Sequence, residues 1–369
     1  MPRLFVANLN FEQEIAGDRQ ILPVALRQRT AEHACAWLAV ANPGDFIWCP
    51  QPPAPDFWER MSDRGIASVT GISSPADAPP GLELTPWGWT QTVRRRARSL
   101  RARIAAPPQA AVRAANSRRW SSQLETRWNV GLEGAAEIRS EADLTDVLRS
   151  VTDTGRWVLK SEFGAAARQR IVCTGPTPDG TAAGWIRRRL SAGEWLTYEP
   201  WVQRIAEAGL QWSIPEQGVP RLEGVTELFS DSAGQFIGSR FGLSREEFEA
   251  WQPAIDVGEQ AVAEIQRLGY FGPVGIDAMR YRMADGSERM RPLQDINARW
   301  TMGRLALGWQ RIIPAGVWRH GTPREFEERL RSHPGILRTS PETIGDQPAD
   351  TATWLEPALS ARRDAEREP

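Results

Sequence analysis

The chain has 369 residues, 41% of them hydrophobic and 25% charged, and its 45 basic residues nearly balance 46 acidic ones. That is too apolar for a disordered chain and too long for one average domain of about 100–200 residues. No apolar run approaches the roughly 20 residues of a bilayer span. The N-terminus turns acidic too early for a secretory leader, and Cys35, Cys49 and Cys173 have neither disulfide nor metal spacing, so a cytoplasmic multidomain protein is expected.

Leu4 to Leu9 is a short β-like run, residues 24 to 41 suit a helix, and Asp45 to Pro50 and Gly65 to Ile72 read as strands. Such alternation predicts an α/β domain with a parallel sheet. Residues 91 to 119 carry nine arginines and no acid. A nucleic-acid patch is one reading. A solvated basic helix between two domains, broken at Pro107-Pro108, is preferred, because the chain has no net basicity and no nucleic-acid motif.

Residues 141 to 151 place Leu144, Val147, Leu148 and Val151 at helical spacing, with Ser140 as N-cap and Asp143 in the first turn. Gly155 ends that segment. Arg156 to Glu162 and Arg170 to Thr174 read as strands around a small-residue turn, and Glu194 to Arg204 as a further strand. Antiparallel strands follow, with turns at Gly218 and Gly234. Residues 244 to 268 predict a helix opened by a Ser244/Glu247 capping box and kinked or split at Pro253. Pro273 to Trp300 reads as a hairpin turning at Asp285-Gly286. Beyond Pro334 the chain is rich in Pro, Thr, Asp and Glu, which predicts a poorly ordered tail.

The hairpin carries chemistry. A turn centred on Gly286 puts Asp277 opposite Asp295, and Asn297, two residues on, shares the face of Asp295. Like charges directly opposed are destabilising unless neutralised. Mg²⁺ is the natural neutraliser, because it takes one or two carboxylates and completes its shell with water and phosphate oxygens. A solvent-exposed polar face is the competing reading.

Only one basic residue, Lys160, is a lysine; the other 44 are arginine. A lysine retained in such a chain marks a place for a compact ammonium, with chance survival as the alternative. Lys160 ends a β-like run before Gly164, Ala165, Ala166 and Ala167. That arrangement can grip phosphate oxygens as a point charge, although no GxxxxGK[ST] loop precedes it.

Taken in order, these segments resemble the ATP-grasp superfamily over residues 110 to 315. Lys160 matches the family's phosphate-binding lysine and FGAAARQR its glycine-rich loop. LTYEPWV matches the adenine strand, with Glu199 in the acid position. GIDAM and DINAR match the metal strands. The resemblance implies an α/β fold with an N-terminal pre-grasp domain (1–110), two α+β subdomains that clamp ATP (111–195 and 196–318), and a C-terminal helix and tail (319–369). It implies Mg²⁺ at Asp277, Asp295 and Asn297. It implies nucleotide contacts at Arg118, Lys160, Glu199, Trp201, Val202 and Glu207, and catalytic roles for Arg299 and Lys160. Arg304 is a further phosphate candidate. The departures are Arg118 in place of the first lysine, Asp295 in place of glutamate, and alanines in the loop, for which Arg168 and Arg170 could compensate.

The implied activity is ATP-dependent ligation. A substrate carboxylate becomes an acyl-phosphate, and an amine or other nucleophile displaces phosphate. Such chemistry asks for positioning and charge stabilisation rather than a protein nucleophile. His33, His320 and His333 form no catalytic or H-E-x-x-H pattern. The expected partners are small-molecule or peptide carboxylates and amines, with no membrane or nucleic acid, and a homodimer is left open. The alternatives are a phosphotransferase and a nucleotide-binding protein without catalysis. The 17 tryptophans are read as packing.

Overall fold

The computed structural model describes residues 1–17, 24–164, 169–232, 234–283, 285–333 and 335–358. The first unit comprises β1 (Arg3–Val6), α1 (Phe11–Ala16), α2 (Val24–Ala34), β2 (Phe46–Trp48), α3 (Phe57–Asp63), β3 (Thr70–Ile72) and β4 (Glu83–Pro86). Its strands form a parallel sheet in the order β3-β2-β1-β4. Leu4, Phe5 and Val6 are consecutive and fully buried, as expected where a parallel sheet is covered on both faces. The helix expected over 24–41 is α-helical to Ala34 and continues as a 3-10 turn, Cys35–Ala39. The short helix α1 and strand β4 were not anticipated.

The basic stretch is three helices, α4 (Gln91–Ser99), α5 (Gln109–Ala115) and α6 (Arg118–Trp128), with the longest break across Pro107-Pro108. Val93 and Ala97 of α4 and the following Leu100 are buried against the first sheet, which leaves the α4 arginines on the outer side of an amphipathic helix.

The second sheet holds β5 (Ala136–Ile138), β6 (Arg156–Ser161), β7 (Arg170–Thr174) and β8 (Leu196–Pro200), with α7 (Glu141–Leu148) and α8 (Gly180–Ser191) between them. It is antiparallel in the order β5-β8-β6-β7. Ser140 and Asp143 form a reciprocal capping box on α7. The turn expected between β6 and β7 includes residues 165–168, which lie outside the described residues.

The third sheet is large and antiparallel. Its elements are β9 (Gln203–Ile214), β10 (Arg221–Ser230), β11 (Phe236–Phe241), α9 (Arg245–Glu249), α10 (Gln252–Arg267), β12 (Gly272–Arg282), β13 (Glu288–Asn297), α11 (Met302–Gly308), β14 (Gly316–Gly321), α12 (Pro323–Ser332), β15 (Leu337–Arg338), the short pair β16 (Thr343–Ile344) and β17 (Gln347–Pro348), and β18 (Ala352–Pro357). Eight of these strands make the sheet, in the order β13-β12-β9-β10-β11-β14-β18-β15, and β16 and β17 form a separate two-stranded sheet. Pro253 splits the expected helix, as predicted: α10 begins at Gln252, so Pro253 occupies the first turn, where its missing N–H is no loss. Ala261, Val262 and Ile265 of α10 join Leu210, Val274, Ile276 and Ile296 in the core beneath β9, β12 and β13.

The tail needs correction. Residues 352–357 pair along β14, and Trp354 and Leu355 are buried. The Pro- and Asp-rich residues before them form bends and short turns that return the chain to the sheet. The last eleven residues, 359–369, lie outside the described residues.

Candidate active site

The first group of side chains gathers where the second sheet meets the third. Lys160 on β6 lies opposite Thr197 of β8. Its Nζ is 2.7 Å from Oε2 of Glu199, also on β8. The other Glu199 oxygen is 3.1 Å from Nη1 of Arg291 on β13. Arg291 in turn donates from Nε and Nη2 to both oxygens of Glu125 on α6, at 2.6 and 2.8 Å. Two cations and two carboxylates therefore form one chain that ties α6, β6, β8 and β13 together. Arg291 is only 3% exposed and Glu125 7%. Burial pushes the Glu199 carboxyl upward, but Arg291 and Lys160 outweigh it and hold the group down at about 2. Burial dominates at Glu125, whose carboxyl is raised despite the opposing Arg291.

Trp201 and Val202 form the two-residue link between β8 and β9. The Trp201 N–H donates to the Arg156 carbonyl at 2.9 Å, and the Arg156 guanidinium lies 4.2 Å from the indole centroid. Val202 packs with Leu132, Met279 and Tyr281. Glu207 on β9 accepts from Arg204 at 2.8 Å, Ser230 at 3.3 Å and Gln294 at 3.1 Å.

The second group is on the hairpin. Asp277 pairs directly with Asp295, as expected, but by a different route. Near the turn the ladder pairs Arg282 with Glu288, a register that would carry Asp277 to residue 293. An irregularity after Asp277 adds two residues to β13 and brings Asp295 opposite. Bulges of this kind re-aim side chains beside functional sites. Asn297 donates from Nδ2 to Asp277 Oδ2 at 3.1 Å and accepts at Oδ1 from Arg299 Nη2 at 2.9 Å. On the other side, Arg118 Nη2 lies 3.2 Å from Asp295 Oδ2 and also donates to the Gly164 carbonyl, while Nη1 donates to the Ser161 carbonyl. Burial first, then the charges of Asp295 and Glu207, push the Asp277 carboxyl up to about 7, against Arg299 and Asn297.

The donor set fits Mg²⁺ shared with phosphates. Two carboxylates and an amide supply hard oxygen donors, too few for a closed protein cage but enough for an ion that keeps water and substrate ligands. Among the described residues no three His, Cys, Asp or Glu side chains cluster to hold a metal unaided.

The segment 297–300 is held from three directions. Asn116, between α5 and α6, exchanges two hydrogen bonds with the backbone of Ala298, at 3.3 and 3.0 Å. The Trp300 N–H donates to the Trp87 carbonyl at 3.0 Å, and Trp300 meets Trp37 edge-on at 5.1 Å. Arg299 Nε reaches Glu12 Oε1 of α1 at 2.6 Å. The following helix, α11, is capped by Thr301, whose hydroxyl also bonds the buried Gln211 at 2.6 Å. A side chain at Gly275 would meet Thr301 Cγ2 at 2.5 Å, so only glycine permits this approach.

Arg304 does not join the group. It is held by Ser213 at 3.0 Å and Glu223 at 3.3 Å. Ser213 is four residues along β9 from Gly209, the partner of Asp277, so Arg304 is held on the same face but roughly 13 Å along the strand from the carboxylate pair. Glu12, Asn116, Glu125 and Arg291 were not foreseen.

No protein-family model and no curated protein matches the sequence. Whole-fold comparison finds N5-carboxyaminoimidazole synthetase from Staphylococcus aureus, with TM-score 0.53, 8% identity, and coverage of 96% of this chain and 92% of that one. It also finds the biotin carboxylase domain of Hydrogenobacter thermophilus 2-oxoglutarate carboxylase (TM-score 0.54, 11% identity, coverage 96% and 86%). Biotin carboxylase from Campylobacter jejuni matches similarly (TM-score 0.54, 11% identity, coverage 96% and 87%). The chain has the ATP-grasp fold. Two of these ATP-grasp structures contain nucleotide: the Hydrogenobacter domain was solved with MgADP, ADP and bicarbonate, and the Campylobacter enzyme with beta-gamma-ATP. No helix among the described residues is long and apolar enough to cross a membrane.

Proposed function

We propose that the chain is an ATP- and Mg²⁺-dependent ligase that converts a substrate carboxylate to an acyl-phosphate and transfers the acyl group to an amine or similar nucleophile. The observation that carries this is the opposed pair Asp277–Asp295, linked through Asn297 to Arg299 and flanked by Arg118. Two facing carboxylates between two guanidinium groups suit a polyphosphate carried with a divalent ion.

In this reading residues 1–110 bind the acceptor side, and residues 111–195 and 196–318 enclose the nucleotide. Glu199, Trp201 and Val202 meet the base where the two sheets join, and Glu207 faces the ribose hydroxyls. Lys160, which here has Glu199 as its partner, and Arg118 bind phosphate oxygens. Asp277, Asp295 and Asn297 would hold Mg²⁺, which when bound supplies positive charge to the phosphates. Arg299 binds the phosphoryl group in transfer. It donates one bond each to Glu12, Trp300 and Asn297, which leaves one N–H on each terminal nitrogen for a planar or tetrahedral anion. The carboxylate oxygen attacks the γ-phosphorus, ADP leaves, and the nucleophile then expels phosphate from the acyl carbon. A cytoplasmic setting fits the three free, buried cysteines.

The test is isotope transfer. A carboxylate pool labelled with ¹⁸O, incubated with ATP, Mg²⁺ and an amine pool, should yield ADP, an amide, and inorganic phosphate carrying one ¹⁸O. ADP with a stable phosphoester would establish a phosphotransferase. Nucleotide binding without ADP release would establish a non-catalytic protein.

A further inference from the structure

We propose that Glu12 is a positioning residue for Arg299, by which the first α/β unit fixes the orientation of the phosphoryl-binding guanidinium; this rests on the ligase reading above. Glu12 lies on α1, which follows β1 at the carboxyl ends of the parallel strands. In open α/β sheets that edge is where ligands bind, at the point where the strand order reverses. Here the order β3-β2-β1-β4 places that point between β1 and β4. Glu12 on one side and Trp87 just beyond β4 on the other both reach Arg299. The carboxylate accepts from Nε at 2.6 Å and the indole lies 5.7 Å from the guanidinium carbon.

The contact is specific in a way that general packing is not. The pair is nearly buried, with Arg299 9% and Glu12 12% exposed, and spans 287 residues of sequence. The Arg299 fork has three nitrogens, and each makes a bond to a different element: Nε to α1, Nη1 to the Trp300 carbonyl, Nη2 to Asn297. The second and third bonds are local, to residues one and two positions from Arg299. The bond to Glu12 comes from a separate unit and fixes the plane. The bonds to Glu12 and Asn297 also connect α1 to the hairpin carboxylates, because Asn297 donates to Asp277. An acceptor entering beside Glu12 therefore meets an arginine already oriented toward Asp277.

Glu12→Gln keeps the shape and removes the charge, which weakens the bond to Arg299. It should lower kcat by about 100-fold, the scale of a misplaced reacting group, with KM for ATP unchanged. The double variant E12Q/R299Q should be no slower than R299Q alone, because both act through one group. An independent readout is the rate at which phenylglyoxal modifies Arg299, followed by peptide mass spectrometry on the folded protein. It should rise in E12Q and more in E12A, while Arg291, with its own partners, stays unreactive. Unchanged Arg299 reactivity in both variants, or additive losses in the double variant, would overturn the role of Glu12. Absence of ADP release from the wild-type protein would overturn the ligase reading instead, and the reactivity of Arg299 would still decide whether Glu12 holds it.

Discussion

The buried chain Lys160–Glu199–Arg291–Glu125 makes the sharpest prediction. Arg291→Met removes the central cation and leaves an aliphatic chain of similar length. Glu125 then loses both of its bonds, at 2.6 and 2.8 Å, while Glu199 keeps Lys160 at 2.7 Å. Removing one partner of a buried pair costs about 3–5 kcal/mol, because the other charge stays buried without compensation. With an unfolding entropy of about 2.1 cal/mol/K per residue over the whole chain, each kcal/mol is worth roughly 1.3 °C, and the melting temperature should fall by about 5 °C. The double variant R291M/E125L replaces the pair by apolar groups and should recover most of that loss, since such replacements are often neutral or stabilising. The assay is thermal and urea unfolding of the wild type, the single variant and the double variant in the same buffer. A single variant that melts with the wild type, or a double variant no better than the single, would refute the reasoning. R291M should also raise KM for ATP, because Glu199 then has only Lys160 to neutralise it and holds the ammonium more tightly.

Lys160→Arg should keep the fold by circular dichroism and lose most ATP turnover, since a broad guanidinium cannot reproduce a point contact at 2.7 Å; unchanged ADP release would remove the argument from lysine. Alanine at both Asp277 and Asp295 should abolish Mg²⁺-dependent nucleotide binding in calorimetry, and retained binding would remove the metal assignment. The Glu199 carboxyl sits at about 2 against an ordinary 4.5, so its ionisation stabilises the fold. That contribution is complete above about pH 5 and disappears as the pH falls toward 2. The Glu199→Gln variant should therefore lose less stability than the wild type between about pH 5 and pH 3, and parallel acid limbs would contradict this. Truncation after Asp350 removes β18, with the buried Trp354 and Leu355, and should yield protein without a cooperative melt; a soluble, cooperatively folding product would show that the strand is dispensable.

The parts legible in the sequence were those set by local rules. Ser140, Ser244 and Pro253 announced helix starts because capping and proline geometry act over three or four residues. Leu4 to Leu9 announced a strand by composition, although the strand itself ends at Val6. The short helix α1 and the strand β4 carry too few residues for a period to register, and α8, an alanine- and arginine-rich segment, has a weak apolar stripe. The tail misled for a related reason: its composition describes the turns before β18, whereas its structure is set by the backbone of β14. Asp277 and Asp295 were paired correctly by a turn centre one position off, and the bulge in β13 made up the difference. Register is a tertiary property as well as a local one, and the bulge belongs to the folded sheet.

The residues that escaped the sequence have something in common. Glu12, Asn116, Glu125 and Arg291 act on partners 287, 182, 166 and 166 positions away, and their own neighbourhoods carry no pattern. The division of labour among the cations explains the lone lysine. Arg291 uses two parallel bonds to a single carboxylate and Arg299 uses three nitrogens on three partners. Both are permanent, multi-point contacts suited to a rigid planar fork. Among the described residues Lys160 forms one ion pair, to Glu199, and in the proposed reaction it must release that contact to a phosphate. A single rotatable ammonium can exchange one oxygen for another without dismantling a fork. Where a cation only holds structure, arginine serves throughout this chain; in the proposed reaction the one lysine stands where a partner has to change.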